Sequence, residues 1–143
     1  MSDILTAKRL LCENGSTCVL CKGSDIVTSK VSGISPVLDL ILEGRELRGY
    51  SLADKIVGKA AALLFVYAGI SAVHAQVLSQ KGAEVLRKYG IPYTYDKMTE
   101  YIINRRGTGI CPMEDAVMNI TEPEAALQAI YERREQLRKE NAK

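Results

Sequence analysis

The sequence predicts an α/β protein, a three-layer α/β/α sandwich with a mixed sheet of about five strands. Helix and strand patterns alternate along most of the chain, which is typical of layered α/β folds. A predicted β-hairpin near the N-terminus supplies antiparallel strands to a sheet that is otherwise expected to be parallel. Because 143 residues suit one domain, residues 1–143 are expected to form a single α/β unit.

Hydrophobic periodicity and turn residues place the individual elements. The turn-rich segment Lys22–Asp25 joins the two hairpin strands. Ser35, Asp54 and Ser79 are expected N-caps, since short polar side chains accept hydrogen bonds from the first helical amides. The predicted elements are helix 5–13, strands 17–21 and 26–31, helix 36–42, strand 47–52, helix 55–68, strand 72–78, helix 80–89, strand 92–98 with a short continuation at 101–104, helix 112–118, and a last helix from the capping box 121–124 to about 140.

The composition argues against binding to nucleic acid or to a membrane. The formal net charge is +2, from 19 basic and 17 acidic residues, while Trp is absent and Phe occurs once. Such a balance exerts little pull on a polyanion, and few aromatic rings are available for base stacking. No segment approaches the roughly 18 uninterrupted apolar residues of a membrane helix, and the N-terminus lacks the apolar run of a signal peptide. We therefore expect a cytoplasmic protein with reduced thiols.

Two of the four cysteines form a Cys-x-x-Cys pair, a spacing common in zinc and redox sites. Cys18 and Cys21 lie in a predicted strand, however, where residues three apart point to opposite faces of the sheet. They could not hold one metal ion without a turn between them. The sequence contains one histidine, His74, which lies in the middle of a predicted strand and which we interpret as structural. We therefore expect no metal site and no resident cofactor.

The first candidate site is the predicted junction between a strand and the long apolar helix. Asp54 would begin the helix, and Lys55 and Lys59 would stand four residues apart on one helical face. Two ammonium groups there would suit an anionic ligand. The alternative is an ordinary N-cap followed by two lysines whose stems cover apolar surface. The segment does not match a Walker-type phosphate loop, because it lacks the first glycine and the final Ser or Thr.

The second candidate site is the glycine-containing segment that precedes the short helix 112–118. Cys111 is expected at the N-terminus of this helix, where free amides and the helix dipole would stabilise a thiolate. Gly107 and Gly109 would permit close approach of a ligand. Glu114 is expected to fold back over the first turn of its own helix as in a capping box. A reactive or ligand-contacting thiol and an ordinary half-buried cap residue are both compatible with this pattern.

Three phrases resemble a bacterial family known as domain-of-unknown-function 1893, namely Ser32–Pro36, Asp54–Ala62 and Ile110–Glu114. The resemblance spans most of the chain. It implies a fold similar to that of the cytidine deaminases, with a mixed five-stranded sheet between helices. A shared fold does not by itself supply the function.

Zinc deaminases place a His or Cys followed by Ala-Glu at one helix start, and Pro-Cys-x-x-Cys at the next. The matching segments here are Asp54–Val57 and Ser79–Gly82, neither of which contains His or Cys. We therefore expect a cytidine-deaminase-like fold without the zinc ligands, and not a zinc-dependent deaminase.

The remaining hypotheses belong to different classes of protein. The first is a small-molecule binding module for an anionic or nucleotide-like ligand, held by the candidates Asp54, Lys55, Lys59, Gly107, Gly109 and Glu114. The second is an enzyme in which Cys111 acts as a nucleophile or sulfur carrier. The third is a structural or regulatory protein that works as a homo-oligomer.

Overall fold

The computed structural model describes residues 2–103, 107 and 109–141. Helices and strands alternate along these residues, as predicted. The elements are α1 (Asp3–Glu13), β1 (Cys18–Lys22), β2 (Asp25–Ser29), α2 (Ser35–Leu42), β3 (Ser51–Val57), α3 (Lys59–Ala68), β4 (Ala72–Ser79), α4 (Gln80–Lys88), β5 (Tyr93–Thr99), α5 (Pro112–Ala116) and α6 (Pro123–Asn141).

The five described strands form one open mixed sheet in the order β2-β1-β3-β4-β5. β1 pairs antiparallel with both β2 and β3. β3, β4 and β5 are parallel to one another. The parallel strands are joined through α3 and α4, as parallel neighbours require. The predicted α/β class, the N-terminal hairpin and the mixed five-stranded sheet are therefore confirmed.

Helices cover both faces of the sheet. The larger apolar cluster contains Leu20 of β1 together with Leu64 and Phe65 of α3. The smaller cluster lies on the opposite face, where Leu11 of α1 packs with Cys21. Cys18 belongs to the larger cluster, so the two cysteines of the Cys-x-x-Cys pair lie on opposite faces, as the strand geometry predicted.

One element boundary in the middle of the chain differs from the prediction. The strand expected at 47–52 is observed at Ser51–Val57, and the following helix begins at Lys59 instead of at residue 55. Asp54 is consequently a strand residue and not an N-cap. The polar Asp54-Lys55 pair is typical of a helix start, but both flanking strands β1 and β4 pair with β3 through residue 54. Tertiary pairing thus overrides the local signal.

The predicted N-caps have mixed outcomes. The side chain of Ser79 accepts a hydrogen bond from the Gly82 amide and caps α4, as expected. Ser35 is instead the first residue of α2, and Ile34 occupies the cap position without a side-chain hydrogen bond. The Ser35 hydroxyl accepts a hydrogen bond from Arg134 of α6 at 3.3 Å. It therefore contacts another helix and does not cap its own.

The carboxyl ends of β3, β4 and β5 lie at one edge of the sheet, which is where parallel α/β proteins commonly build ligand sites. α3 and α4 begin at this edge. The segment that follows β5, described at residues 100–103, 107 and 109–118, carries α5, and these described residues are called the strap below. Ile103 and Ile110 of the strap form an isolated antiparallel bridge, in place of the strand continuation expected at 101–104. Asn104 lies outside the described residues.

Candidate functional site

The first turn of α3 is capped by a side chain from the strap. Gly58 is the N-cap residue and has no side chain to offer. The Glu114 carboxylate accepts hydrogen bonds from the amide of Lys59 at 2.8 Å and from the amide of Ala60 at 2.7 Å. A carboxylate at this position satisfies two otherwise free amides and complements the positive end of the helix dipole. The expectation that Glu114 caps its own helix is therefore wrong, because its carboxylate is bound to α3.

The absence of a side chain at Gly58 permits this contact. A Cβ atom added to Gly58 would overlap the Glu114 carboxylate and would lie 2.8 Å from a side-chain carbon of Ile102. Gly82 of α4 approaches from another side, since a Cβ there would be 3.1 Å from the carbonyl group of Gly58. The starts of α3 and α4 and the strap therefore meet at close range around Gly58.

The Lys59 side chain in turn contacts the strap. Its ammonium donates hydrogen bonds to the carbonyl oxygens of Val117 at 2.7 Å and Met118 at 3.2 Å, at the end of α5. Burial lowers the pKa of Lys59, and the nearby ammonium of Lys81 lowers it further, while the carboxylates of Glu114 and Glu84 act in the opposite direction. Burial is thus the main reason that the Lys59 pKa is lowered, and the charges around the ammonium are of both signs.

A cleft of about 220 Å³ opens between α3, α4 and the loop that precedes α6. Lys59, Lys81 and Lys88 line it together with one carboxylate, Glu84. Apolar contact surface comes from three further residues, which are Leu63, Val85 and Tyr89. A smaller space of about 50 Å³ lies under the strap and is also bounded by Lys59 and Lys81. We call the larger space the lysine cleft.

Two residues of the first predicted site lie apart from Lys59. Asp54 is in the middle of β3, with only 8% of its surface exposed. Burial raises the pKa of its carboxyl group to about 8, although the backbone amides of Lys55 and Ile56 oppose the shift. Lys55 is also in β3 and is exposed. The prediction that Lys55 and Lys59 share one helical face is therefore wrong, since the chain changes from strand to helix between them.

The second predicted site is brought together in part. Cys111 is the N-cap residue of α5 and is half-buried, but its side chain makes no capping hydrogen bond. Its amide donates to the carbonyl of Ile102 at 2.9 Å. Gly107 has a positive φ of 71° and Gly109 does not, so only Gly107 uses the conformational freedom of glycine. Arg105 and Arg106, which also belong to this segment, lie outside the described residues. The catalytic role of Cys111 stays a prediction.

His74 lies in β4 with 2% of its surface exposed. Its Nδ1 atom is 2.7 Å from the Thr94 hydroxyl of the adjacent strand, and its Nε2 atom is 3.5 Å from the Asp96 carboxylate. Burial lowers the pKa of His74, and Lys8 of α1 adds to this effect, whereas Asp96 opposes it.

Within the described ranges, no group of three or more His, Cys, Asp or Glu side chains is arranged to hold a metal ion. Over the same part of the chain, no helix has the length and apolar character needed to cross a bilayer.

The sequence missed the contribution of α4 to the lysine cleft. Lys81, Glu84 and Lys88 are spaced at i, i+3 and i+7, which places them on one face of a helix. This periodicity was available in the sequence, but it is also typical of any solvated helix face. The pairing of Glu114 with α3 had no such signal, because the two partners are 55 residues apart.

An α/β fold with an open five-stranded mixed sheet, and a cleft between the two helices that follow β3 and β4, defines the class of this protein. The chain belongs to the family described as TM1506, a domain of unknown function (DUF1893), which it matches over residues 6–133.

The chain is also similar to the crystal structure of a DUF1893 family protein (TM1506) from Thermotoga maritima. The TM-score is 0.84 and the sequence identity is 27%, and the match covers 92% of this chain and 90% of that one. No curated protein matches the chain at a significant level.

Proposed function

We propose that this protein is a binding module for a small anion, with the lysine cleft as its site. The observation that carries the proposal is that three lysines, Lys59, Lys81 and Lys88, line one cleft whose lining contains a single acidic residue. The basic residues in the lining outnumber the acidic one, and such a balance attracts an anion. Lysine ammonium groups are common point-charge ligands for phosphate.

The size and lining of the cleft narrow the class of ligand. Its volume of about 220 Å³ is below the range of roughly 300–1,000 Å³ that is typical of pockets for larger ligands. Leu63 and Val85 provide apolar contact beside the lysines. A phosphate or pyrophosphate group carrying a small organic part fits this combination. The phosphate groups of a nucleotide have the same chemistry, although the whole nucleotide is a larger ligand.

We further propose that the fold is cytidine-deaminase-like. The mixed five-stranded sheet with helices starting at the carboxyl edge supports this assignment. The residues at the two helix starts do not fit a catalytic zinc ion, because they offer Gly58-Lys59-Ala60 at α3 and Ser79-Gln80-Lys81 at α4. Zinc in proteins is held chiefly by Cys, His and carboxylate side chains. In this proposal Lys59 and Lys81 bring positive charge to the region where a deaminase would hold its metal.

Calorimetric titration of the protein with pyrophosphate at low ionic strength tests the anion site. Lys81→Gln removes one cleft ammonium, and Lys55→Gln is the matched control because Lys55 is exposed on β3. We expect the wild type and the control to bind alike, and Lys81→Gln to bind about tenfold more weakly, equivalent to roughly 1.4 kcal/mol. Equal affinity in all three proteins, or no binding in any of them, would contradict the proposal.

A further inference from the structure

We propose that the strap is a built-in competitor of the anion, so that ligand binding in the lysine cleft and docking of the strap on α3 oppose each other. This inference rests on the proposed function. It adds a regulatory element, the reciprocal contact between Glu114 and Lys59. The strap is described at residues 100–103, 107 and 109–118.

The ammonium of Lys59 has different partners when the strap is docked and when an anion is bound. With the strap docked, it donates to the carbonyl oxygens of Val117 and Met118, at 2.7 and 3.2 Å. The same residue lines the lysine cleft. Two of the three ammonium donors are already engaged, so an anion that takes more than one hydrogen bond from Lys59 must displace at least one of the two carbonyls. The end of α5 then loses its contact with α3.

The Glu114 carboxylate provides the second source of competition. It occupies the first turn of α3 through the amides of Lys59 and Ala60, and it is among the charges that act on the Lys59 ammonium. A ligand anion bound at Lys59 is therefore close to a carboxylate of like charge. Displacement of Glu114 removes this repulsion and frees two amides beside the cleft.

Thermodynamic linkage relates the stability of strap docking to the affinity for the anion, and both can be measured. If the anion weakens strap docking by some factor, it binds the undocked protein more tightly than the docked protein by the same factor, so a mutation that weakens docking must strengthen anion binding. Glu114→Gln weakens the docking, because the amide NH₂ of glutamine faces one of the two helix amides in place of an acceptor. Gly58→Ala acts independently, since its Cβ expels the Glu114 carboxylate while both Glu114 and Lys59 remain.

The experiment combines two readouts on the full chain. Calorimetry with pyrophosphate gives the affinity. Hydrogen exchange of peptides covering 109–118 reports strap docking, where the Cys111 amide is bonded to the Ile102 carbonyl and the Asp115 amide to the Cys111 carbonyl. Glu84→Gln is the control, because it removes a cleft carboxylate that is not on the strap.

We expect Glu114→Gln to bind pyrophosphate at least about fivefold more tightly than the wild type. We also expect faster exchange over 109–118, both in this variant and in the wild type saturated with pyrophosphate. Glu84→Gln should leave this exchange unchanged without ligand. If Glu114→Gln does not fold, Gly58→Ala replaces it, and if neither folds, exchange in the wild type with and without pyrophosphate decides.

Two results would overturn the inference and can be told apart. Pyrophosphate binding by the wild type with unchanged strap exchange, or with no gain of affinity in the strap variants, refutes the competition and leaves the anion site standing. An absence of pyrophosphate binding in the wild type and in the strap variants refutes both proposals.

Discussion

Glu114 and Lys59 each cap the helix that carries the other. The Glu114 carboxylate binds the first two amides of α3, at 2.8 and 2.7 Å, and the Lys59 ammonium binds two carbonyl groups at the end of α5. α5 has only five residues, too few for a stable isolated helix. Its position on α3 therefore depends on this reciprocal contact, supported by Arg133 of α6, which donates to the Pro112 carbonyl at 2.8 Å.

The contact predicts that alanine destabilises the protein at Gly58 but not at Gly109. In Gly58→Ala the new Cβ meets the Glu114 carboxylate and Ile102, so we expect a loss of stability of about 1–3 kcal/mol. Gly109→Ala is the matched control, since its Cβ would enter open space and Gly109 has no positive φ. Urea denaturation of both variants measures the difference. Equal stabilities would show that the Glu114 carboxylate does not require the space at Gly58.

The raised pKa of Asp54 predicts a free energy of unfolding that falls as the pH rises. Its folded-state pKa of about 8 lies above the ordinary value of about 3.9, so the folded state favours the protonated carboxyl group. The stability contribution is therefore complete below about pH 4 and is lost progressively up to about pH 8. At pH 9 we expect Asp54→Asn to be more stable than the wild type by at least about 2 kcal/mol, since each pKa unit corresponds to about 1.4 kcal/mol.

The control for Asp54 is Glu43→Gln, which neutralises an exposed carboxylate. Chemical denaturation of the three proteins between pH 4 and pH 9 provides the comparison. The gain in stability of Asp54→Asn over the wild type should appear only above about pH 4 and grow with pH. A constant difference across this range would contradict the buried, protonated state of Asp54.

The lowered pKa of His74 predicts a separate decrease in the free energy of unfolding at acidic pH. Its pKa is lowered by burial, so the unfolded chain takes up a proton at a higher pH than the folded protein does. Stability from the neutral imidazole is present above the ordinary pKa of about 6.5 and decreases as the pH falls below it. We expect His74→Gln to lack this component in thermal unfolding measured between pH 7.5 and pH 5. A wild type and variant with parallel pH profiles would exclude the imidazole as its source.

The burial of the individual cysteines predicts which of them react with an alkylating reagent. The result bears on the alternative that Cys111 is catalytic. Cys18 and Cys21 are buried, and burial raises the pKa of both thiols, with Asp54 adding to the effect at Cys18. We expect both to resist iodoacetamide in the native protein, because the thiolate is the reactive form. Cys12 is exposed and serves as the internal reference. A rate at Cys111 far above that at Cys12 would favour the enzymatic hypothesis over a plain binding module.

The sequence predicted those features that depend on local pattern. Alternating elements, the hairpin, the opposed faces of Cys18 and Cys21, and the Ser79 cap all follow from periodicity or from a residue's own preference. The start of α3 was placed four residues early because Asp54 and Lys55 have the polarity of a first helical turn. Pairing of β3 with two neighbours decided the boundary, and no local pattern reports such pairing.

Individual site residues could be predicted from the sequence, but the partners that they contact could not. Lys59 and Glu114 were both singled out, but their partners were wrong, since each contacts an element far away in the sequence. Lys59 and Glu114 are joined by the fold and not by spacing. Lys81 and Lys88 were missed because charged residues on one helix face usually lie in solvent, and only the position of α3 beside α4 turns them toward a shared cleft.

A crystal structure of the wild type grown with pyrophosphate tests the anion site most directly. We expect pyrophosphate oxygens within hydrogen-bond distance of the Lys59 and Lys81 ammonium groups, with the Lys59 ammonium withdrawn from the carbonyls of Val117 and Met118. An empty lysine cleft, with pyrophosphate bound elsewhere or not at all and Lys59 still on those two carbonyls, would contradict this expectation.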